Sequence, residues 1–152
     1  MLESGVTIAT NLPSETQDGP AGFIESEIRQ ALDEWIYCVN SGYAESINAL
    51  YLSDAVLLPT FDGRVLTTPA ERLVYFIKFK TRRGLHASVK ECYITTLGPD
   101  SATANGLYTF RFLGEDGTEQ SVRARFTFVY ARQQEGDWLI VAHHSSVAPG
   151  LS

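Results

Sequence analysis

The sequence predicts an α+β domain: three helices in the N-terminal half, packed on a strongly curved, mostly antiparallel sheet. Two patterns carry this. Apolar residues recur at helical spacing between Ala21 and Val39 and again between Thr68 and Phe79. After Gly84 the chain alternates with period two and is divided by turn residues. A run of helices followed by a strand meander is the α+β pattern, and helices on one face of such a sheet leave a cone-like space where a ligand can sit. The length of 152 residues, with 44% hydrophobic and 20% charged residues, suits one ordered domain.

Residues 1–20 are polar, with Pro13, Gly19 and Pro20, and are expected to form a mobile arm or one that docks on a partner subunit. The domain is expected over 21–149. In the first helix Ile24, Ile28, Ala31, Leu32, Trp35, Ile36 and Val39 make one stripe, stopped by Asn40-Ser41-Gly42. A second short helix uses Tyr43, Ile47, Leu50 and Tyr51. Asp54 to Thr60 reads as a strand whose Pro59 belongs at an edge or an end. Asp62-Gly63 makes a turn, and Val65-Leu66 can pair back. Thr68-Pro69-Ala70-Glu71 is a capping box with proline at the first helical position. That helix carries Leu73, Val74, Phe76, Ile77 and Phe79 and closes in Lys80, Arg82 and Arg83, which suit a helix C-terminus. Strands are expected over about 86–97, 102–113, 120–132 and 137–147.

Composition removes several classes. Twelve Lys+Arg against 18 Asp+Glu give a net charge of -6, which argues against nucleic acid or an anionic membrane as the main partner. No apolar run approaches the ~20 residues that cross a bilayer. No signal peptide is visible, so a cytoplasmic location is the default expectation. Cys38 and Cys92 read as two buried free thiols. The patterns GxSxG, GxGxxG, P-loop and HExxH are all missing.

Strand parity selects the candidate site residues. In the last strand Trp138, Ile140, Ala142, His144 and Ser146 share one face, opposite Leu139, Val141, His143 and Ser145. The adjacent histidines therefore cannot both enter one pocket. With His86 as the third histidine and no ligand spacing, no metal site and no cofactor are predicted, although a divalent metal stays compatible with the composition. His144 and Ser146 form the strongest chemical pair: an imidazole able to pass protons beside a hydroxyl. The alternative is a neutral histidine bonded to a backbone carbonyl beside a strand-end hydroxyl. Arg125 is an anion clamp if its face turns inward, and a solvated residue or subunit contact if outward. Arg111 poses the same choice. Tyr37 and Tyr75 read as packing residues whose hydroxyls find partners.

The segment Ala124-Arg-Phe-Thr-Phe-Val-Tyr130, followed by Trp138-Leu-Ile-Val-Ala-His-His-Ser-Ser-Val-Ala-Pro149, resembles the C-terminal strands of the calcium/calmodulin-dependent protein kinase II association-domain family. That family lies in the nuclear transport factor 2-like superfamily, also called cystatin-like or SnoaL-like. Trp35 and the stretch Tyr51…Leu57-Leu58-Pro59-Thr60 agree with it. The resemblance covers residues 21–149 and implies the cone fold, a homodimer or larger homo-oligomer, and a pocket for small carboxylates. The superfamily hosts isomerases, cyclases, dehydratases and pure assembly modules.

Leu57-Leu58-Pro59-Thr60, Tyr75-Phe76, Arg125 to Tyr130 and His143-His144-Ser145-Ser146 together resemble the iota-class carbonic anhydrases. This implies reversible hydration of CO2 to bicarbonate, in some members without a metal. Thr60, Tyr75, His144 and Ser146 would carry it, and Arg125 would hold the anion. Ala142 stands where that family often has a histidine, and Ala148 near its methionine. In this scheme Thr60, Tyr75 and Ser146 orient water and bicarbonate oxygens, His144 relays the proton, and Leu57, Phe76 and Ile140 wall the CO2. A non-catalytic assembly domain is the alternative. An isomerase or cyclase is the third reading, for which Asp62 sits in a turn with no second inward acid.

Overall fold

The computed structural model describes residues 7–10 and 20–150, with side chains from residue 22 onward. The elements are β1 (Thr7–Thr10), α1 (Pro20–Ser41), α2 (Ala44–Asn48), β2 (Tyr51–Leu58), α3 (Pro69–Phe79), β3 (Arg83–Gly98), β4 (Ser101–Leu113), β5 (Glu119–Arg132) and β6 (Trp138–Val147). They form one six-stranded sheet in the order β1-β3-β4-β5-β6-β2. The β1–β3 and β2–β6 pairs are parallel and the rest are antiparallel.

Most elements follow from local sequence. Ile24, Ile28, Leu32, Trp35 and Val39 of α1 are buried against the sheet. Each such side chain contributes about 1.5–3 kcal/mol relative to exposure. Thr68 accepts from the Glu71 N–H while the Glu71 carboxylate accepts from the Thr68 N–H, so the capping box forms with Pro69 leading α3. Three boundaries differ from the sequence reading. The α3 helix ends at Phe79, so that Arg83 opens β3 rather than closing the helix. The second helix ends at Asn48, and Tyr51 opens β2 rather than closing a helix. Pro59 follows β2 directly, as a residue without an N–H should. Within the span expected as an arm, Thr7–Thr10 pair with Glu91–Ile94 of β3. Pro20 opens α1, and the other residues of that arm lie outside the described residues.

Bulges bend the long strands. Val89 faces Tyr108 and Glu91 faces Leu107, so Lys90 is an extra residue in β3. At the next position along β4, Gly106, a Cβ would stand 1.8 Å from the Glu91 carbonyl oxygen, and only glycine lets β3 approach this closely. A second bulge lies between Tyr130, which faces Ile140, and Val129, which faces Ala142; Val141 is the extra residue in β6. Near β2, the buried Arg72 guanidinium donates to the carbonyls of Leu52, Ser53 and Ala55 and to Asn48 Oδ1. It thereby satisfies backbone that the irregular β2–β6 register leaves unpaired.

Candidate functional site

The Val141 bulge decides which side chains enter the interior. Parity from Trp138 through Ile140 would bring in His144 and Ser146. The extra residue reverses the phase, so His143 and Ser145 are buried instead, at 3% exposure each. His144 is exposed and Ser146 half-buried on the opposite face, beside Thr127 and Arg125 respectively. Arg125 is exposed there too, which settles its orientation as outward. Of the five residues singled out, Thr60 and Tyr75 line the interior cavity; His144, Ser146 and Arg125 do not. Arg111 is also exposed, 3.9 Å from Glu119. Asp62 is paired with Arg64 at the surface, and that guanidinium holds its carboxyl down to about 2.

Inside, aromatic and hydroxyl groups form a chain. Trp35 Nε1 donates to Tyr51 Oη at 3.1 Å, and Tyr51 Oη lies 2.7 Å from His143 Nδ1. His143 Nε2 lies 3.1 Å from Tyr108 Oη, and Tyr108 donates to Ser145 Oγ at 2.7 Å. Ser145 and Thr60 share a hydrogen bond between their hydroxyls. Tyr75 Oη accepts from the Phe61 N–H at 3.3 Å. The direction is fixed at both ends. Indole only donates, so Tyr51 accepts from Trp35 and gives its proton to Nδ1. Tyr108 spends its proton on Ser145, so it accepts from Nε2. Both conditions place the histidine proton on Nε2.

Electrostatics agrees with a neutral cluster. Burial, and secondarily the adjacent His144, push His143 down to about 3. Burial raises the Tyr51 and Tyr108 phenols well above their usual range and lifts Tyr75 to about 12. The space between Thr60, Tyr75, Ser145, His143 and the apolar wall of Leu57 and Phe76 is ≈ 10 Å³. That is about the room one water molecule needs. Among the described residues no group of three His, Cys, Asp or Glu side chains is placed to hold a metal ion. Cys38 and Cys92 are buried free thiols.

Sequence reasoning missed Tyr108, His143 and Ser145 as interior polar groups. Tyr108 was findable, since it shares a phase with Phe110 in β4. His143 and Ser145 were not, because a one-residue bulge leaves no mark in an alternating run.

The opposite face of the sheet has a different character. Val56, Leu58, Leu107, Val129 and Ala142 lie there half-exposed among Thr103, Asn105 and Thr127. Thr127 donates to Asn105 Oδ1 at 2.6 Å. No described helix covers this face.

Helices closing one face of a bent sheet over a small polar interior define the cystatin-like, nuclear transport factor 2-like class. The calcium/calmodulin dependent protein kinase II association-domain family matches residues 24–149, and the chain belongs to that family. A solved Xanthomonas campestris structure named for the same association domain is similar at 34% identity, covering 82% of this chain and 88% of that one, with a TM-score of 0.76. The association domain of Caenorhabditis elegans calcium/calmodulin-dependent kinase II shares the fold at 15% identity, with 83% and 97% coverage and a TM-score of 0.65. A Streptomyces avermitilis protein named as an NTF2-like dehydratase shares it at 15% identity, with 85% and 99% coverage and a TM-score of 0.75. No curated protein sequence matches. No described helix is long and apolar enough to cross a membrane.

Proposed function

We propose that this chain is an assembly module that mates with a second copy through the outer face of its sheet. The observation that carries the reading is the contrast between faces. The inner face is closed by α1 and α3, whereas the outer face spreads Val56, Leu58, Leu107, Val129 and Ala142 with no described element over them. A mixture of aliphatic and hydroxyl side chains suits a self-complementary two-fold contact. Family membership supports homo-oligomerisation. The test places a charge at the centre: Val129→Arg and Leu107→Glu should each leave the melting profile of the fold intact and reduce the solution mass to that of one chain. Unchanged mass in both variants contradicts the reading.

Hydration of CO2 is the second reading, favoured by one observation. Thr60, Tyr75, Ser145 and His143 surround a water-sized space with an apolar wall. Two properties weigh against it. A general base works best with a pKa near the working pH, and burial holds His143 at about 3. The space also leaves no room for CO2 beside a water. The expected rate after exhaustive chelation is background in wild type and in Ser145→Ala alike. A wild-type rate above background, lost in Ser145→Ala and Tyr75→Phe, would restore the enzyme. No cation lines the cavity, so a carboxylate would enter it without charge compensation. A polycyclic substrate for an isomerase exceeds the volume many times over.

A further inference from the structure

The end of β3 leaves a gap on the helix side of the sheet. Thr96 faces Ala102 and Gly98 faces Ser101, so Leu97 is an extra residue, and its side chain is exposed. The lining position next to the turn falls to Gly98, which has no side chain to fill it. A Cβ there would meet nothing nearer than Ser101 Oγ at 3.9 Å. Opposite, the start of α1 supplies Phe23, which is 74% exposed, and the buried Ile24. With Thr96, Pro99, Glu27 and Arg132 these residues enclose a groove of ≈ 500 Å³, within the range of sites that hold small molecules. It shares none of its described lining residues with the water-sized cavity around His143.

The polar groups in the wall decide what the groove takes. Glu27 accepts from Trp138 Nε1 at 2.8 Å and lies 3.4 Å from Arg132. Arg132 also donates to the Pro99 carbonyl at 3.3 Å, lies 3.6 Å from Asp100 and sits over the Trp138 ring at 4.8 Å. Both charges are thus compensated within the wall, and a ligand of either charge would compete with a pairing already made. The polar atom left over is neutral. Thr96 Oγ1 is buried and has no hydrogen-bond partner. Because it holds no bond, a turn about χ1 presents it to the groove without breaking one. In the same cross-strand row, Thr96–Ala102–Tyr130, the Tyr130 hydroxyl is buried without a partner as well. A buried hydroxyl without a partner is destabilising, and a ligand oxygen bonded to Thr96 relieves that.

We propose that this groove binds a small neutral amphiphile: an apolar skeleton laid between Phe23, Ile24 and Pro99, carrying a single hydroxyl or carbonyl that hydrogen-bonds Thr96. The site lies on the helix side of the sheet and does not rest on the outer-face contact between copies.

The experiment titrates the full chain with Prodan, a neutral naphthyl ketone whose emission moves to the blue in an apolar site. The bound dye is then displaced with octanol, octanoate or octylammonium. Wild type should give a saturable blue shift that octanol reverses. The two charged chains should compete at least about tenfold more weakly, because each is buried against charges already paired. Phe23→Ser and Gly98→Leu should each weaken the ketone about tenfold, one by removing a wall and the other by filling the groove. Thr96→Val should weaken it about fivefold, the effect of one hydrogen bond. Val74→Ser, at an exposed apolar position on α3, is the control and should bind as wild type. Thr96→Val keeps the side-chain shape and strands no partner, and Phe23 already faces solvent. Both variants should therefore melt as wild type, and a loss of affinity in either reads the groove itself. The proposal is overturned by the absence of a saturable shift in wild type, or by unchanged affinity in Thr96→Val or Phe23→Ser. Equal weakening in Val74→Ser, or a charged chain displacing the dye as well as octanol does, overturns it too.

Discussion

Phe128 and His143, neighbours across β5 and β6, stack with ring centroids 3.8 Å apart and planes 17° from parallel. The imidazole is thus sealed against an apolar ring on one side and between two phenols at its nitrogens. A protonated ring there would lose its hydration and the lone pair that accepts from Tyr51.

This gives a pH dependence with a definite sign. His143 sits near 3 in the folded chain against an ordinary 6.5, so the unfolded chain binds the extra proton between those values. The stabilisation is complete above about 6.5 and is lost as pH falls towards 3, at up to ~1.4 kcal/mol per pH unit. Urea midpoints at pH 7, 6 and 5 should decline for wild type and flatten in His143→Gln. The carboxylates with lowered values, Asp62, Glu71 and Asp116, add acid sensitivity only at lower pH.

Tyr51→Phe strands two buried partners at once, the Trp35 N–H and His143 Nδ1. Unsatisfied buried groups cost about 1–3 kcal/mol each. Unfolding free energy should fall by that order, more than for Tyr75→Phe, whose hydroxyl serves the half-buried Phe61 N–H and the half-buried Thr60 hydroxyl. Equal losses would contradict the chain of donors described above.

Gly106→Ala should prevent the native β3–β4 pairing, because the new methyl would sit 1.8 Å from the Glu91 oxygen, which is backbone and cannot swing away. Gly63→Ala meets nothing within 4 Å and serves as the control. Circular dichroism and yield of soluble protein read the difference.

Arg72→Met removes a buried cation whose partners are three carbonyls and an amide oxygen. The freed Ala55 carbonyl stays buried while those of Leu52 and Ser53 are part-buried, so a loss of about 1–3 kcal/mol is expected. Arg72→Lys should recover little, since one ammonium cannot span the fork that reaches Leu52 and Ala55 together. Chemical denaturation of both variants checks this.

Local signals made much of the fold legible. The α1 stripe, the Thr68–Glu71 cap and the four long strands all announce themselves within a few residues. The site was legible only in part, since Thr60 and Tyr75 were found by resemblance and lie at the cavity. His144 and Ser146 were chosen by counting alternate positions, and the count failed at Val141. The cause is tertiary. The bulge falls where β6 meets register shifts on both sides, against β5 and against β2, and nothing in Ile140-Val141-Ala142 records those pairings. The same limit hid the β2 start, where Tyr51 belongs both to a helical spacing and to the strand that buries its hydroxyl against His143. Arg125 could not be oriented from alternation alone, because both faces of β5 carry plausible neighbours.

The claim on which the functional account rests is that the uncovered sheet face is an interface between two copies. The molar mass of the wild-type chain at 500 mM salt and micromolar concentration tests it most directly, because salt suppresses contacts made by charge and leaves those made by aliphatic side chains. The account predicts twice 16.8 kDa, about 34 kDa. A species of 16.8 kDa would contradict it.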